Sequence, residues 1–241
     1  MTDSSPYNAN LPNVLIFATN GTIAASRARA IRRRATRQGL LGVDILNRLR
    51  AAAAERVQPR VVTHGTDTLE KSSFFVVLTI RSEKPVVFVG AMRPATALGA
   101  DGPIDLPETV TLGADPDAKG RGTMIVLNDR ISNAFFIIKI DANPLDIFRS
   151  AEQGFLRFFI NIKPKFYFSP ALPRGKPSTS SSVTKLFKPT LASAVVASGA
   201  EGLVMAGMGA GGGTLPGGKV IQEVVENNST TVVYARRLMD G

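Results

Sequence analysis

Short apolar runs, each bounded by turn-forming residues, recur along this chain and set its first reading. Val14-Leu-Ile-Phe-Ala18 runs directly into a Thr-Asn-Gly-Thr turn, the signature of a strand buried on both faces. Further on, Leu41, Ile45 and Leu49 recur four apart within Leu40 to Ala54, which predicts an amphipathic helix. Arg60-Val-Val-Thr63 reads as a second strand, entering His64-Gly-Thr-Asp-Thr68, where Asp67 and Glu70 have the spacing of a helix N-terminal capping pair. The strand and turn pattern returns at Pro85-Val-Val-Phe-Val-Gly90 and at Thr123-Met-Ile-Val-Leu127. Strands alternating with helices predict an α/β fold with a doubly wound, mainly parallel sheet. Ligands of such sheets lie beyond the carboxyl ends of the strands, so Thr19 to Thr22, His64 to Thr68 and Gly90 to Arg93 are expected around one crevice.

The pattern changes between residues 163 and 190, where Pro, Ser, Lys and aromatic residues dominate and Ser178-Thr-Ser-Ser-Ser182 appears, so we read an interdomain linker there. It separates an N-terminal domain over 1–162 from an incomplete second α/β domain over 191–241. In that second part Gly202 to Ala206 and Thr230 to Ala235 are expected strands, and Gly218 to Glu226 an expected helix. Its edge strands are expected to be exposed. Pro107 is expected to interrupt the helix that follows Asp101-Gly-Pro, because an interior proline costs about 3 kcal/mol.

Composition narrows the chemistry. With 44% hydrophobic and 20% charged residues over 241 positions, the chain falls in the ordinary globular range, and no apolar run reaches the roughly 20 residues of a membrane span. Residues 1–13 show no basic region followed by an apolar stretch, so a cytoplasmic protein without membrane association is expected. Cysteine is absent and histidine occurs once, at His64, which excludes thiolate chemistry and His-rich metal sites; no metal or organic cofactor is expected. We expect His64 to be structural. The net charge of +10 is concentrated at Arg27, Arg29, Arg32, Arg33, Arg34 and Arg37. That run reads as a solvated segment, with a polyanion-binding module as the alternative from another functional class. No aromatic residue interleaves with it, so base stacking is unsupported and a nucleic-acid partner is not expected.

Two glycine-rich stretches suggest nucleotide binding without meeting its requirements. Gly207-Met-Gly-Ala-Gly-Gly212 has the dinucleotide spacing, a weak signal among 22 glycines. Gly213 to Lys219 approaches a phosphate-binding loop, but Val220 stands where a hydroxyl should reach magnesium.

Five blocks in order are more specific: Asn20-Gly-Thr-Ile-Ala24, His64-Gly-Thr-Asp-Thr-Leu-Glu70, Val89-Gly-Ala-Met-Arg-Pro94, Ala100-Asp-Gly-Pro103 and Arg121-Gly-Thr-Met-Ile-Val-Leu-Asn-Asp129. The chain resembles the L-asparaginase family of amidohydrolases, of the bacterial type. The resemblance implies hydrolysis of L-asparagine to L-aspartate and ammonia, with the threonine of the first block, Thr22, as nucleophile. It implies that Thr66, Asp67 and Lys139, ten positions beyond Asp129, form a proton-handling group. Asp67 would also receive the α-ammonium of an amino-acid amide substrate, beside Gly65, and the carbonyl of Ala91 would meet the substrate amide nitrogen. A homo-oligomer is implied as well, because the family's C-terminal domain lends part of its site to a neighbouring subunit.

Several pieces of the family pattern are altered. The tyrosines are Tyr7, Tyr167 and Tyr234, so the arginine-rich segment stands where the family carries a lid tyrosine. No Gly-Ser-Gln or Gly-Ser-Glu tripeptide, which the family uses for the substrate carboxylate, occurs between Arg37 and Val62. Asn20 replaces a glycine, and the chain ends at Gly241, where the family continues. A catalytically impaired relative is therefore the alternative to an active amidohydrolase.

Overall fold

Apolar runs and strands coincide along the N-terminal half of the protein. The computed structural model describes residues 14–18, 22–25, 60–80, 82–172, 189–207, 209, 211–213, 215–228 and 230–236. β1 (Leu15–Ala18), β2 (Arg60–Thr63), β3 (Val86–Val89) and β4 (Thr123–Leu127) pair in that order, all parallel. Every residue of β2, β3 and β4 is buried, which explains why β3 is wholly apolar and why β2 and β4 show apolar stretches without alternation, flanked by Arg60, Thr63 and Thr123. The helix expected over 40–54 and the arginine cluster from Arg27 to Arg37 lie outside the described residues.

Both faces of the parallel strands are covered. Helix α1 (Thr22–Ala25) follows β1, α2 (Thr66–Thr79) joins β2 to β3, and α3 (Gly102–Ala114) joins β3 to β4. Leu69, Val76 and Val77 of α2 pack with Phe17, Val62, Phe88 and Ile125 on one face. On the other face, Leu112 packs with Val87, Met124 and Val126, and Leu106 and Val110 with Ile16, Val61 and Val89. The strand order advances in one direction while α2 and α3 lie on opposite faces, so one of the two crossovers is left-handed. Such connections make up about 2% of parallel crossovers.

Beyond β4 the sheet turns antiparallel, which the sequence reading did not anticipate. β5 (Arg130–Asn133) returns through a two-residue turn at Asn128 and Asp129, with φ 52° and 58°. That is the left-handed pair a tight hairpin requires. β8 (Arg157–Ile160) and β9 (Lys163–Pro164) complete the seven-stranded sheet, and β6 (Ile138–Lys139) pairs separately with β7 (Phe148–Arg149). The segment expected as a linker from 163 to 190 thus begins inside β9 and ends inside α4 (Pro189–Ala197); residues 173–188 of it are outside the described set. Then β10 (Gly202–Gly207) and β11 (Thr231–Arg236) form a parallel pair, connected through α5 (Leu215–Asn228).

Two local expectations need correction. Asp67 and Glu70 are not a capping pair: α2 starts at Thr66, its N-cap is Gly65, and no side chain caps it. Glu70 turns inward instead, as described below. Pro107 does not interrupt α3, which continues through it to Ala114. Pro103 occupies the first turn, where its missing N–H costs nothing, and the helix is held against β3 by its buried face, so packing overrides the local penalty.

Candidate active site

The polypeptide leaves β1, β2 and β3 at the same end of the parallel sheet. Ala18 stands opposite Thr63, and Thr63 opposite Val89, so the three strands end level. His64 N donates to Val89 O at 2.8 Å and ties the second turn to the third strand. Thr22, half-buried, begins α1, the helix that follows β1 in the chain. Gly65 and Thr66 follow in the second turn. Ala91, buried, follows Gly90 in the third.

Gly90 is small because α2 crosses it closely. A Cβ at this position would meet Thr66 Cγ2 at 2.8 Å and Leu69 Cδ1 at 3.1 Å. The turn beyond it is shaped by Asp101, a buried residue of the fourth sequence block that the sequence reading quoted without a role. Its carboxylate accepts from Met92 N at 2.6 Å and Arg93 N at 2.9 Å. An aspartate before Gly-Pro was the available signal, but it suggests a helix cap. Here both oxygens serve the neighbouring turn, and α3 begins without a side-chain cap.

Lys139 carries the electrostatics of the site. Its side chain is 1% exposed, so the lysine that the family resemblance singled out is buried. The ammonium donates to Thr66 Oγ1 at 3.0 Å and to Asp67 Oδ1 at 2.7 Å. A buried ammonium is tolerated when charge and hydrogen bonds compensate it, and here a carboxylate and a hydroxyl do so. The sequence therefore brought together three residues that the structure places in direct contact, from β6 and from the first turn of α2. Asp67, in that first turn, also suits the positive end of the helix dipole.

His64 sits beside this group without joining it. Its Nδ1 donates to Gly65 O at 2.9 Å and its ring tilts on Phe88, 6.1 Å between centroids. Burial lowers its pKa, opposed by the hydrogen bond to Gly65, so the ring is neutral at physiological pH. Among the described residues no group of three His, Cys, Asp or Glu side chains is arranged to hold a metal ion.

The family model "Asparaginase, N-terminal" matches residues 41–172, more than half of the chain. This protein belongs to the asparaginase family. It is 39% identical to a probable L-asparaginase 1 of Schizosaccharomyces pombe, a match that covers all of this chain and 80% of the relative. It is 36% identical to L-asparaginase 2-3 of Saccharomyces cerevisiae, over 97% of the chain and 79% of that protein, and 33% identical to L-asparaginase 2 of Bacillus subtilis, over 99% and 76%. Among solved structures, a probable cytoplasmic L-asparaginase from Campylobacter jejuni superposes with a TM-score of 0.66 at 28% identity, covering 94% of this chain and 83% of that one. The match to the fission-yeast relative runs over 289 positions while the chain has 241 residues, so that asparaginase carries segments within the matched range that this one lacks.

The glycine-rich stretch after β10 adds a contact that the sequence reading did not foresee. Gly209 lies against Asp67, so close that a Cβ there would overlap Oδ1 and stand 2.9 Å from Cγ. A glycine of the stretch with dinucleotide-binding spacing is thus packed, through a bare backbone, against Asp67.

Proposed function

We propose that the protein is an asparaginase-type amidohydrolase that converts L-asparagine and water to L-aspartate and ammonia. The observation that carries this is the buried Lys139 ammonium, clasped by Thr66 and Asp67 just beyond β2, which ends level with β1, the strand that precedes Thr22. In this proposal Thr22 Oγ attacks the side-chain amide carbon, and a carbon–oxygen bond forms as the hydroxyl proton passes to Thr66 Oγ1, whose own proton is released toward the amide nitrogen while the Lys139 ammonium holds Thr66 in place. The carbon–nitrogen bond then breaks, and the leaving nitrogen takes a proton and departs as ammonia. Water attacks the resulting ester and frees Thr22 and aspartate. Asp67, 61% exposed on its open side, holds the substrate's α-ammonium next to Gly65, and the carbonyl of Ala91 meets the amide nitrogen. No metal or organic cofactor takes part.

Family resemblance supports a homo-oligomer in this reading, as do the apolar side chains left outside on β10 and β11, with Val204 75% and Val233 54% exposed. The division into a domain over 1–162 and a second over 191–241 belongs to the same proposal, supported by their separate sheets. A cytoplasmic location is supported by the description of the Campylobacter relative.

The segments present in the fission-yeast asparaginase and lacking here favour one second reading, a relative with impaired turnover. Ammonia release by the purified chain on asparagine and on glutamine separates the two. An active chain should lose at least a hundredfold in rate on Thr22→Ala and on Lys139→Met; an undiminished rate in either discards the assignment of that residue.

A further inference from the structure

We propose that Glu70 is a positioning residue for the reaction, anchoring the backbone of Lys139 so that its ammonium reaches Thr66 and Asp67. This rests on the amidohydrolase reading above. Glu70 is 5% exposed and lies one helical turn beyond Thr66, on the same face of α2. One carboxylate oxygen accepts the backbone N–H of Lys139, and the other accepts from Lys71 Nζ. The first turn and a half of α2 therefore grips Lys139 at both ends, the main chain through Glu70 and the ammonium through Thr66 and Asp67.

The grip matters because β6 is a weak support. It has two residues, Ile138 and Lys139, paired only with Arg149 and Phe148 of β7 in a two-stranded ladder outside the main sheet. Two-stranded ladders are marginal by themselves. A lysine side chain has many rotamers to lose, so fixing its tip demands that its root be fixed as well. Misplacing a reacting group by about 1 Å can cost a hundredfold in rate. A glutamate at this position is also costly to bury unless its oxygens are used, and both are.

The test compares Glu70→Met, which keeps the length of the side chain without an acceptor oxygen, with Glu70→Gln, which keeps an acceptor. Ammonia release from asparagine gives kcat and KM, thermal unfolding gives the folded fraction, and hydrogen exchange reports the Lys139 amide. We expect Glu70→Met to lose about tenfold to a hundredfold in kcat with KM within about twofold, and to exchange the Lys139 amide faster. Glu70→Gln should return kcat to within about threefold of the starting protein and keep the amide protected. A Glu70→Met protein with unchanged kcat, or a Glu70→Gln protein as impaired as Glu70→Met, overturns the proposal. So does a Lys139 amide that already exchanges at the rate of an open chain in the unaltered protein, a readout that survives a failure of either variant to fold. An unaltered chain that releases no ammonia while the exchange pattern holds counts against the amidohydrolase reading and leaves the anchor intact.

Discussion

At the scale of single residues, the chemistry of this protein is set by where charge is buried. Lys139, held by Asp67 and Thr66, shows compensated burial. On the other face of the sheet, Asp105 and Glu108 of α3 show the opposite. Asp105 is 0% exposed and Glu108 2%, and each leaves one carboxylate oxygen without a partner. Burial, then repulsion from Asp101, raises the pKa of Asp105 to about 8, with the N–H of Asn128 opposing the shift. Burial, then a hydrogen bond shared with Asp129, raises Glu108 to about 8. Both groups are held near 4 in an unfolded chain, so between pH 4 and pH 8 the folded state keeps protons that the unfolded state has lost. Stability should therefore be greatest below pH 4 as far as these two groups decide it, and fall as pH rises to about 8. Asp105→Asn keeps the acceptor for Asn128, which the present side chain meets at 3.1 Å, and removes one titration. Denaturant midpoints should show it more stabilising at pH 8 than at pH 5; equal gains at both would refute the assignment. None of this was legible beforehand, because an aspartate and a glutamate three apart on a helix read as a solvated face until the strand beneath them is known.

Elements were legible where one local signal decided them. β1 and β3 are wholly apolar runs, β2 and β4 carry apolar stretches flanked by Arg60, Thr63 and Thr123, and each forms where its run stands. The antiparallel half was not legible, since Arg130-Ile-Ser-Asn133 lacks such a run and the turn between β8 and β9 is Asn161-Ile162, with Ile162 at φ 62° where a tight hairpin favours glycine. α3 shows the reverse error, a strong local signal that lost to packing. Pro107 lies in its interior, where the ring removes one backbone hydrogen bond and crowds the preceding turn. Its carbonyl still accepts, from Thr111 Oγ1 at 2.9 Å. Because the helix holds regardless, the penalty remains in the folded state, and Pro107→Ala should stabilise the protein by about 2 kcal/mol after the lost rigidity of the unfolded chain is deducted. Chemical denaturation at one fixed pH measures this; no gain would mean that the backbone around Pro107 has already relaxed.

For the molecule as a whole, the candidate site is assembled from both ends of the chain. Thr22, Thr66, Asp67, Ala91 and Lys139 come from the N-terminal part, where the family resemblance of their motifs singled them out, and Thr66, Asp67 and Lys139 stand in contact. The approach of Gly209 was not legible, since no spacing in sequence reports that a C-terminal turn lies on a carboxylate. At φ 53° the residue is in the left-handed region, and a methyl there would overlap the Asp67 oxygen that accepts from Lys139. Gly209→Ala therefore combines a backbone cost of about 1 kcal/mol with a displacement of Asp67. The two effects can be separated with Gly199→Ala, at φ 102° with nothing within 4 Å of the added methyl. Both variants should lower the unfolding midpoint. Only Gly209→Ala should lower kcat/KM for asparagine, by tenfold or more, because Asp67 holds both the substrate's ammonium and Lys139 in the proposed reaction. Equal activity in the two variants would mean that the C-terminal part rests on the site without shaping it.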